Sequence, residues 1–153
     1  MAADKQELES RLTKLEDMEA IRAVKHKYWR CIDREQWDEI ADCFTEDATG
    51  DYMPSMRPQG NVAIAQFIKK WQTKRKMTSC VHQGHNPEIE MTSDTTAKGM
   101  WELYNFMIEA DTKRAWRVLG FYDDEFAKVN GEWRIRSLKL TIVLSEQWER
   151  SKS

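Results

Sequence analysis

Apolar residues recur every three or four positions through Leu8, Leu12, Leu15, Met18, Ile21, Val24, Tyr28 and Cys31, which predicts one long helix over about 5–32. Asp33 then stands as a break or cap, and Trp37, Ile40, Ala41 and Phe44 return at helical spacing for a second, short helix. TEDATGDYM reads as a turn entering a strand, and residues 54–60, with two prolines and a glycine, as loop or a short edge strand. After Asn61, a cap, Val62, Ala65, Ile68 and Trp71 mark a third helix ending in the basic run KRK. Everything beyond has strand character, over 78–91, 97–109, 115–129 and 132–144, separated by TSDTT, ADTKR and NGE. Asn130-Gly131 is the strongest hairpin signal. Helices followed by an antiparallel meander predict an α+β domain, because parallel sheets need helices between their strands. A long twisted sheet of this kind can curl around a helix and leave a blind cavity.

Composition narrows what such a cavity serves. At 153 residues the chain fits one domain, 1–153, with flexible ends expected at about 1–6 and 147–153. A net charge of -2 gives no electrostatic case for nucleic acid or an anionic membrane surface. No run of eighteen apolar residues occurs, and MAADKQELES lacks the basic start and apolar core of a signal peptide. Cys31, Cys43 and Cys80 are odd in number and widely spaced, as expected of reduced thiols in a cytoplasmic protein. Seven tryptophans and eight methionines supply more large apolar surface than a minimal core requires. That surplus suits an apolar pocket, an aromatic-rich core or a subunit interface.

Two of the three histidines lie in MTSCVHQGHNPEIEMTSDTTAKGMW. Strand alternation sends His82 and His85 to opposite faces, so only one points inward. An imidazole turned into an enclosed apolar space is a candidate acid or base, and equally a hydrogen-bonded core residue. A metal on His82, His85 and Glu88 is disfavoured by their odd spacing and by Pro87, so no metal is expected. No GxGxxG, P-loop or GxSxG occurs, and no cofactor is expected either.

The stretch LEDMEAIRAVKHKYWRCIDREQWDEIADCFTEDA, with Tyr28, Asp33, Trp37, Asp38, Phe44, Thr45, Asp47 and Ala48 as its marked positions, resembles the opening of SnoaL-like proteins of the nuclear-transport-factor-2-like superfamily. HQGHNPEIE, SDTTAKGMW and VNGEWRI extend the resemblance over almost the whole chain. Within the superfamily it is most similar to the bile acid 7α-dehydratases and more distantly to scytalone dehydratase. The resemblance implies a cone-shaped fold, a curved antiparallel sheet around the N-terminal helices, with Tyr28, Asp33 and His82 lining the interior. It also implies a carboxylate partner for the histidine on the next strand and an arginine on the last. Those positions are Asn105 and Ile142 here. An asparagine orients an imidazole but does not stabilise an imidazolium as a carboxylate does.

On this resemblance the chain is expected to be a small lyase or isomerase, of the dehydratase kind, acting on a hydrophobic polycyclic or aromatic carbonyl compound or alcohol. The ligand would be steroid- or polyketide-like. His82 would be the base, oriented by Asn105; Tyr28 would donate to a developing oxyanion; Asp33 would hold a hydroxyl or water. Trp101 and Tyr122 are candidates to line the pocket, or simply core. Tyr28 also continues the apolar stripe of the first helix, and Asp33 also suits a cap. A noncatalytic hydrophobic-ligand-binding or assembly module, or an epoxide hydrolase or cyclase, are the alternatives on the same scaffold. The expected partners are a small hydrophobic molecule and further copies of the chain, as a dimer or trimer.

Overall fold

The computed structural model describes residues 2–74, 76–110, 112 and 114–150. Helix α1 (Ala2–Asp33) is followed by the single-turn α2 (Trp37–Ile40), a 3-10 turn at Ala41–Cys43, strand β1 (Phe44–Asp51) and helix α3 (Asn61–Lys74). Four long strands complete the chain: β2 (Met77–Met91), β3 (Thr96–Glu109), β4 (Arg114–Val129) and β5 (Glu132–Glu149). The architecture is α+β, with sheet order β1-β5-β4-β3-β2. Strands β2 to β5 form the expected antiparallel meander, but β1 joins the β5 edge in parallel, so the sheet is mixed, and it stays open instead of closing into a barrel. The parallel pairing was hidden because β1 and its partner are far apart in sequence. Register breaks at His85/Glu88, Leu119/Gly120 and Glu125/Phe126 supply bulges, and bulges bend strands.

The β4–β5 turn places Asn130 at φ 52° and Gly131 at φ 83°, the left-handed backbone that a two-residue hairpin demands. Strand β5 continues past 144 to Glu149, and residues 147–149 pair with β4.

Helix α1 divides into two halves. Leu8, Leu12 and Leu15 are 63, 54 and 63 % exposed, whereas Ile21, Tyr28, Cys31 and Ile32 are buried. A helix of 32 residues is about 48 Å long at 1.5 Å per residue, longer than the sheet can cover. Contact begins at Asp17 and is marked by a buried or half-buried polar residue every eight positions: Asp17, Lys25 and Asp33. Asp17 accepts from Lys128 Nζ (2.7 Å) and Trp133 Nε1 (2.8 Å). Lys25 Nζ stands 2.6 Å from Asp124 Oδ2, both side chains wholly buried, and lies over the Tyr122 ring at 3.6 Å. Trp29 packs edge-on against Trp101 and lies flat enough on β2 that a Cβ at Gly84 would come within 1.9 Å of its ring. Glycine at that position lets the helix reach the strand. No helix among the described residues is long and apolar enough to cross a membrane.

Candidate active site

The strand register assembles the site row by row. His82 of β2 faces Asn105 of β3, which faces Val118 of β4, which faces Ser145 of β5. Inward alternation along β3 buries Trp101, Leu103, Asn105 and Met107. His82 has a side chain only 6 % exposed and lies on a cavity of about 290 Å³, while His85 is exposed and outside that cavity.

The carboxylate partner of His82 comes from the helix. Asp33, the last residue of α1, has its Oδ1 2.6 Å from His82 Nδ1, and its Oδ2 accepts the His82 backbone N–H at 2.9 Å. Both oxygens thus contact one histidine, and the carboxylate also lies beside the Cys80 thiol. The cap reading of Asp33 is overturned: α1 runs through it, and the residue flanking α2 is Gln36, with no side-chain cap. Nor does Asp33 line the cavity, so it stands behind the imidazole instead of meeting a ligand hydroxyl directly. On the other ring nitrogen, Asn105 Nδ2 lies 2.7 Å from Nε2. A carboxylate at Nδ1 selects the tautomer protonated there, leaving the Nε2 lone pair toward Asn105 and the cavity.

The cavity wall facing this dyad is apolar and aromatic, with Phe67, Trp71, Trp116, Leu140 and Ile142 among its residues. Three phenols interrupt it, those of Tyr28, Tyr52 and Tyr122. Tyr28 and Tyr52 lie on the cavity with their hydroxyls 3.1 Å apart. Burial pushes both phenols above their ordinary range, and Tyr122 likewise, so all three stay protonated donors at neutral pH. Among the described residues no lysine or arginine lines the cavity, and Ile142 is on its wall. Tyr122 is a lining residue, but Trp101 is not: it is wholly buried against Trp29 and Phe126, and belongs to the core.

Tyr52 escaped the sequence reading because it follows β1 in a segment without periodicity; its place after the GD that ends the strand gave no signal of its own. Cys80 was read only as a packed thiol. Its Sγ lies 3.7 Å from both Asn105 Oδ1 and His82 Nδ1. Burial, and next the Asp33 carboxylate, push the thiol well up, so it is neutral.

Donor atoms of Asp33, Cys80 and His82 lie within 4.8 Å of one another. Two ligands each about 2.0 Å from a tetrahedral zinc sit roughly 3.3 Å apart, whereas Nδ1 and Oδ1 are at hydrogen-bond distance, 2.6 Å. The cluster has the geometry of a hydrogen-bonded network and does not fit a metal as it stands. Chemically, the arrangement offers an imidazole backed by a carboxylate and protonated phenols on one largely apolar cavity. Such equipment suits removal of a carbon-bound proton with stabilisation of the resulting oxyanion.

Residues 13–139 match the family model described as a SnoaL-like domain. Among solved structures, a candidate scytalone dehydratase from Novosphingobium aromaticivorans is similar at 22 % identity and a TM-score of 0.82, over 91 % of this chain and 92 % of that one. The structure of LinA is similar at 16 % identity and a TM-score of 0.84, over 94 % and 99 %. The hexachlorocyclohexane dehydrochlorinase LinA-type3 from Novosphingobium barchaimii is similar at 15 % identity and a TM-score of 0.83, again over 94 % and 99 %. At these identities the likeness is one of fold.

Proposed function

We propose, from the premise that this chain belongs to the SnoaL-like family, that it is a cofactor-independent lyase or isomerase of the dehydratase kind. The observation that carries the reading is the dyad: Asp33 Oδ1 at 2.6 Å from His82 Nδ1, with His82 on a cavity that is also lined by three phenols, two of them hydrogen-bonded to each other. His82 Nε2 takes a proton from a carbon next to a carbonyl. Asp33 stabilises the imidazolium that forms, the role the resemblance assigned to a carboxylate on the neighbouring strand. Tyr28, with Tyr52 hydrogen-bonded to it, donates to the enolate oxygen; the electron pair then returns to expel the hydroxyl, which takes the proton from the His82 imidazolium and leaves as water, or the imidazolium returns that proton to a new carbon. Asn105 must yield Nε2 as the substrate arrives.

The substrate is neutral and compact. Ordinary ligand cavities span about 300–1,000 Å³, so one of about 290 Å³ favours one or two rings over the four of a steroid or bile acid. The names of the solved relatives, a candidate scytalone dehydratase and a dehydrochlorinase, support elimination as the reaction class. The direct test incubates the protein in D2O with a panel of neutral one- and two-ring β-hydroxy ketones, following deuterium at the α-carbon and loss of water by mass spectrometry. The wild type should accelerate exchange or elimination for at least one member, and His82→Ala should lower that rate by roughly a hundredfold or more. Binding of panel members without exchange in the wild type would sink the enzyme reading. It would favour the second one, a hydrophobic-ligand-binding module, which is supported by the Asn105 N–H held against Nε2.

Val81, Phe121, Val143 and Trp148 are 41–66 % exposed on β2, β4 and β5. This surface supports a homo-oligomer, dimer or trimer, and sedimentation at micromolar concentration giving a monomer's mass would overturn it. The free thiols of Cys31, Cys43 and Cys80 support the cytoplasm as the compartment.

A further inference from the structure

The contacts around His82 continue on both sides, and although the Cys80 thiol also lies 3.7 Å from His82 Nδ1 and within reach of the Asp33 carboxylate, one chain of donors runs in a single direction. Gln72 Nε2 of α3 lies 4.0 Å from Cys80 Sγ; Cys80 Sγ donates to Asn105 Oδ1 at 3.7 Å; Asn105 Nδ2 donates to His82 Nε2 at 2.7 Å; His82 Nδ1 donates to Asp33 Oδ1 at 2.6 Å. The link through Cys80 is the one that a change of charge on His82 would break. Once Nε2 carries a proton it becomes a donor, and the Asn105 amide must turn to offer Oδ1 in place of Nδ2. That turn takes Oδ1 away from the thiol and sets the NH2 group against Sγ, a weak acceptor.

We propose that Cys80 is a positioning residue: by donating to Asn105 Oδ1 it holds the amide with its N–H toward Nε2, and so keeps His82 as the neutral imidazole that can act as a base. Asp33 fixes which nitrogen of the neutral ring carries the proton; Cys80, through Asn105, opposes the second proton. The proposal rests on the reading of His82 as base for its consequence in turnover, but not for its test. Other charged groups near His82 are His26, Arg30 and Arg34 of α1 and His85 of β2, which share its outer groove. From β3 the imidazole meets only the neutral Asn105, and the phenols across the cavity are neutral too.

The experiment is a histidine titration by nuclear magnetic resonance on the whole protein, with no substrate. The three imidazoles are His26, His82 and His85, and the spectrum of His82→Gln assigns the one of interest. In Cys80→Ala the amide is free to turn, and the pH at which His82 takes its second proton should rise by roughly 0.5–1 unit, the worth of one net hydrogen bond. Cys80→Val, which fills the space without a donor, should do the same if the alanine variant folds poorly. In an Asn105→Ala background the Cys80 substitution should have no effect on His82. The absence of a shift in either Cys80 variant overturns the proposal, and so does a shift that persists without Asn105, because the thiol would then act on the ring directly. Should the titration behave as stated while turnover proves indifferent to His82, the functional reading fails alone.

Discussion

Of the three ion pairs that tie helix α1 to the sheet among the described residues, two look alike on paper and differ in every physical respect. Lys25 and Asp124 are sealed: both side chains are 0 % exposed, 2.6 Å apart, with the ammonium over the Tyr122 ring and within 5.1 Å of the Tyr28 and Trp29 ring centres. Asp33 and His82 sit eight residues further along at the helix's end, partly open at 18 and 6 % exposure, bordered by a cavity on one side and a surface groove on the other. A buried ion pair contributes little net stability, since desolvation offsets most of the attraction, yet losing one partner leaves a charge stranded. The open pair instead keeps a ring nitrogen within reach of a ligand. Burial decides which pair holds the helix and which is available for proton transfer.

The largest effects come from breaking each pair in turn. Asp33→Asn keeps the shape of the dyad but removes the charge that stabilises imidazolium, so turnover should fall by roughly 10²–10⁴ while the urea midpoint changes little. Lys25→Met should do the reverse: a loss of about 3–5 kcal/mol in unfolding free energy, read by denaturant titration, with turnover per folded molecule held within a few-fold. Restoring balance with Lys25→Met/Asp124→Leu should recover most of the lost stability, because a packed apolar pair replaces a desolvated ionic one. If Asp33→Asn costs stability and not turnover, the division of labour between the two pairs is wrong.

The sequence exposed the open pair more readily than the sealed one. Strand alternation left one histidine inward, the resemblance made it His82, and a gapless reading across SDTTAKGMWELYN put the position of its strand partner at Asn105; the two do pair, register within a hairpin being a local property. The His82 partner was sought on the neighbouring strand, whereas it is Asp33, 49 positions away, supplied by how the helix lies across the sheet. Lys25 went unremarked because a lysine in a helix reads as surface. Its spacing from Ile21, Tyr28 and Ile32, at four, three and seven residues, puts it on the buried face and was the available signal. Conversely, Leu8, Leu12 and Leu15 continue the stripe perfectly well and remain exposed, because periodicity reports a face and not whether anything covers it. Trp101 shows the same limit: its inward direction was legible, but whether it met cavity or core depended on Trp29 packing against it and on Gly99 leaving room for its ring.

The smallest effect distinguishes the sealed pair from the third tie, Asp17 with Lys128 and Trp133, by the sign of its pH dependence. Burial raises the Asp124 carboxyl from its ordinary value to about 6 against the opposing pull of Lys25. The folded state then holds that proton more tightly than the unfolded chain, so the contribution of Asp124 to stability is fully present below about pH 4 and declines as the pH rises to about 6. At Asp17, burial works upward but is outweighed by the hydrogen bonds from Lys128 and Trp133 and by the lysine's charge, and the carboxyl lies below its ordinary value. Its contribution is present above about pH 4 and lost as the pH falls. Urea midpoints of the wild type, Lys25→Met/Asp124→Leu and Asp17→Asn at several pH values between 3 and 6 test both signs at once. Relative to the wild type, the double variant should gain stability between pH 4 and 6, and Asp17→Asn should lose its disadvantage as the pH drops below 4. A wild-type curve that keeps its slope in the double variant would mean that Asp124 stays ionised throughout, and that the aromatic rings and Lys25 together compensate its burial in full.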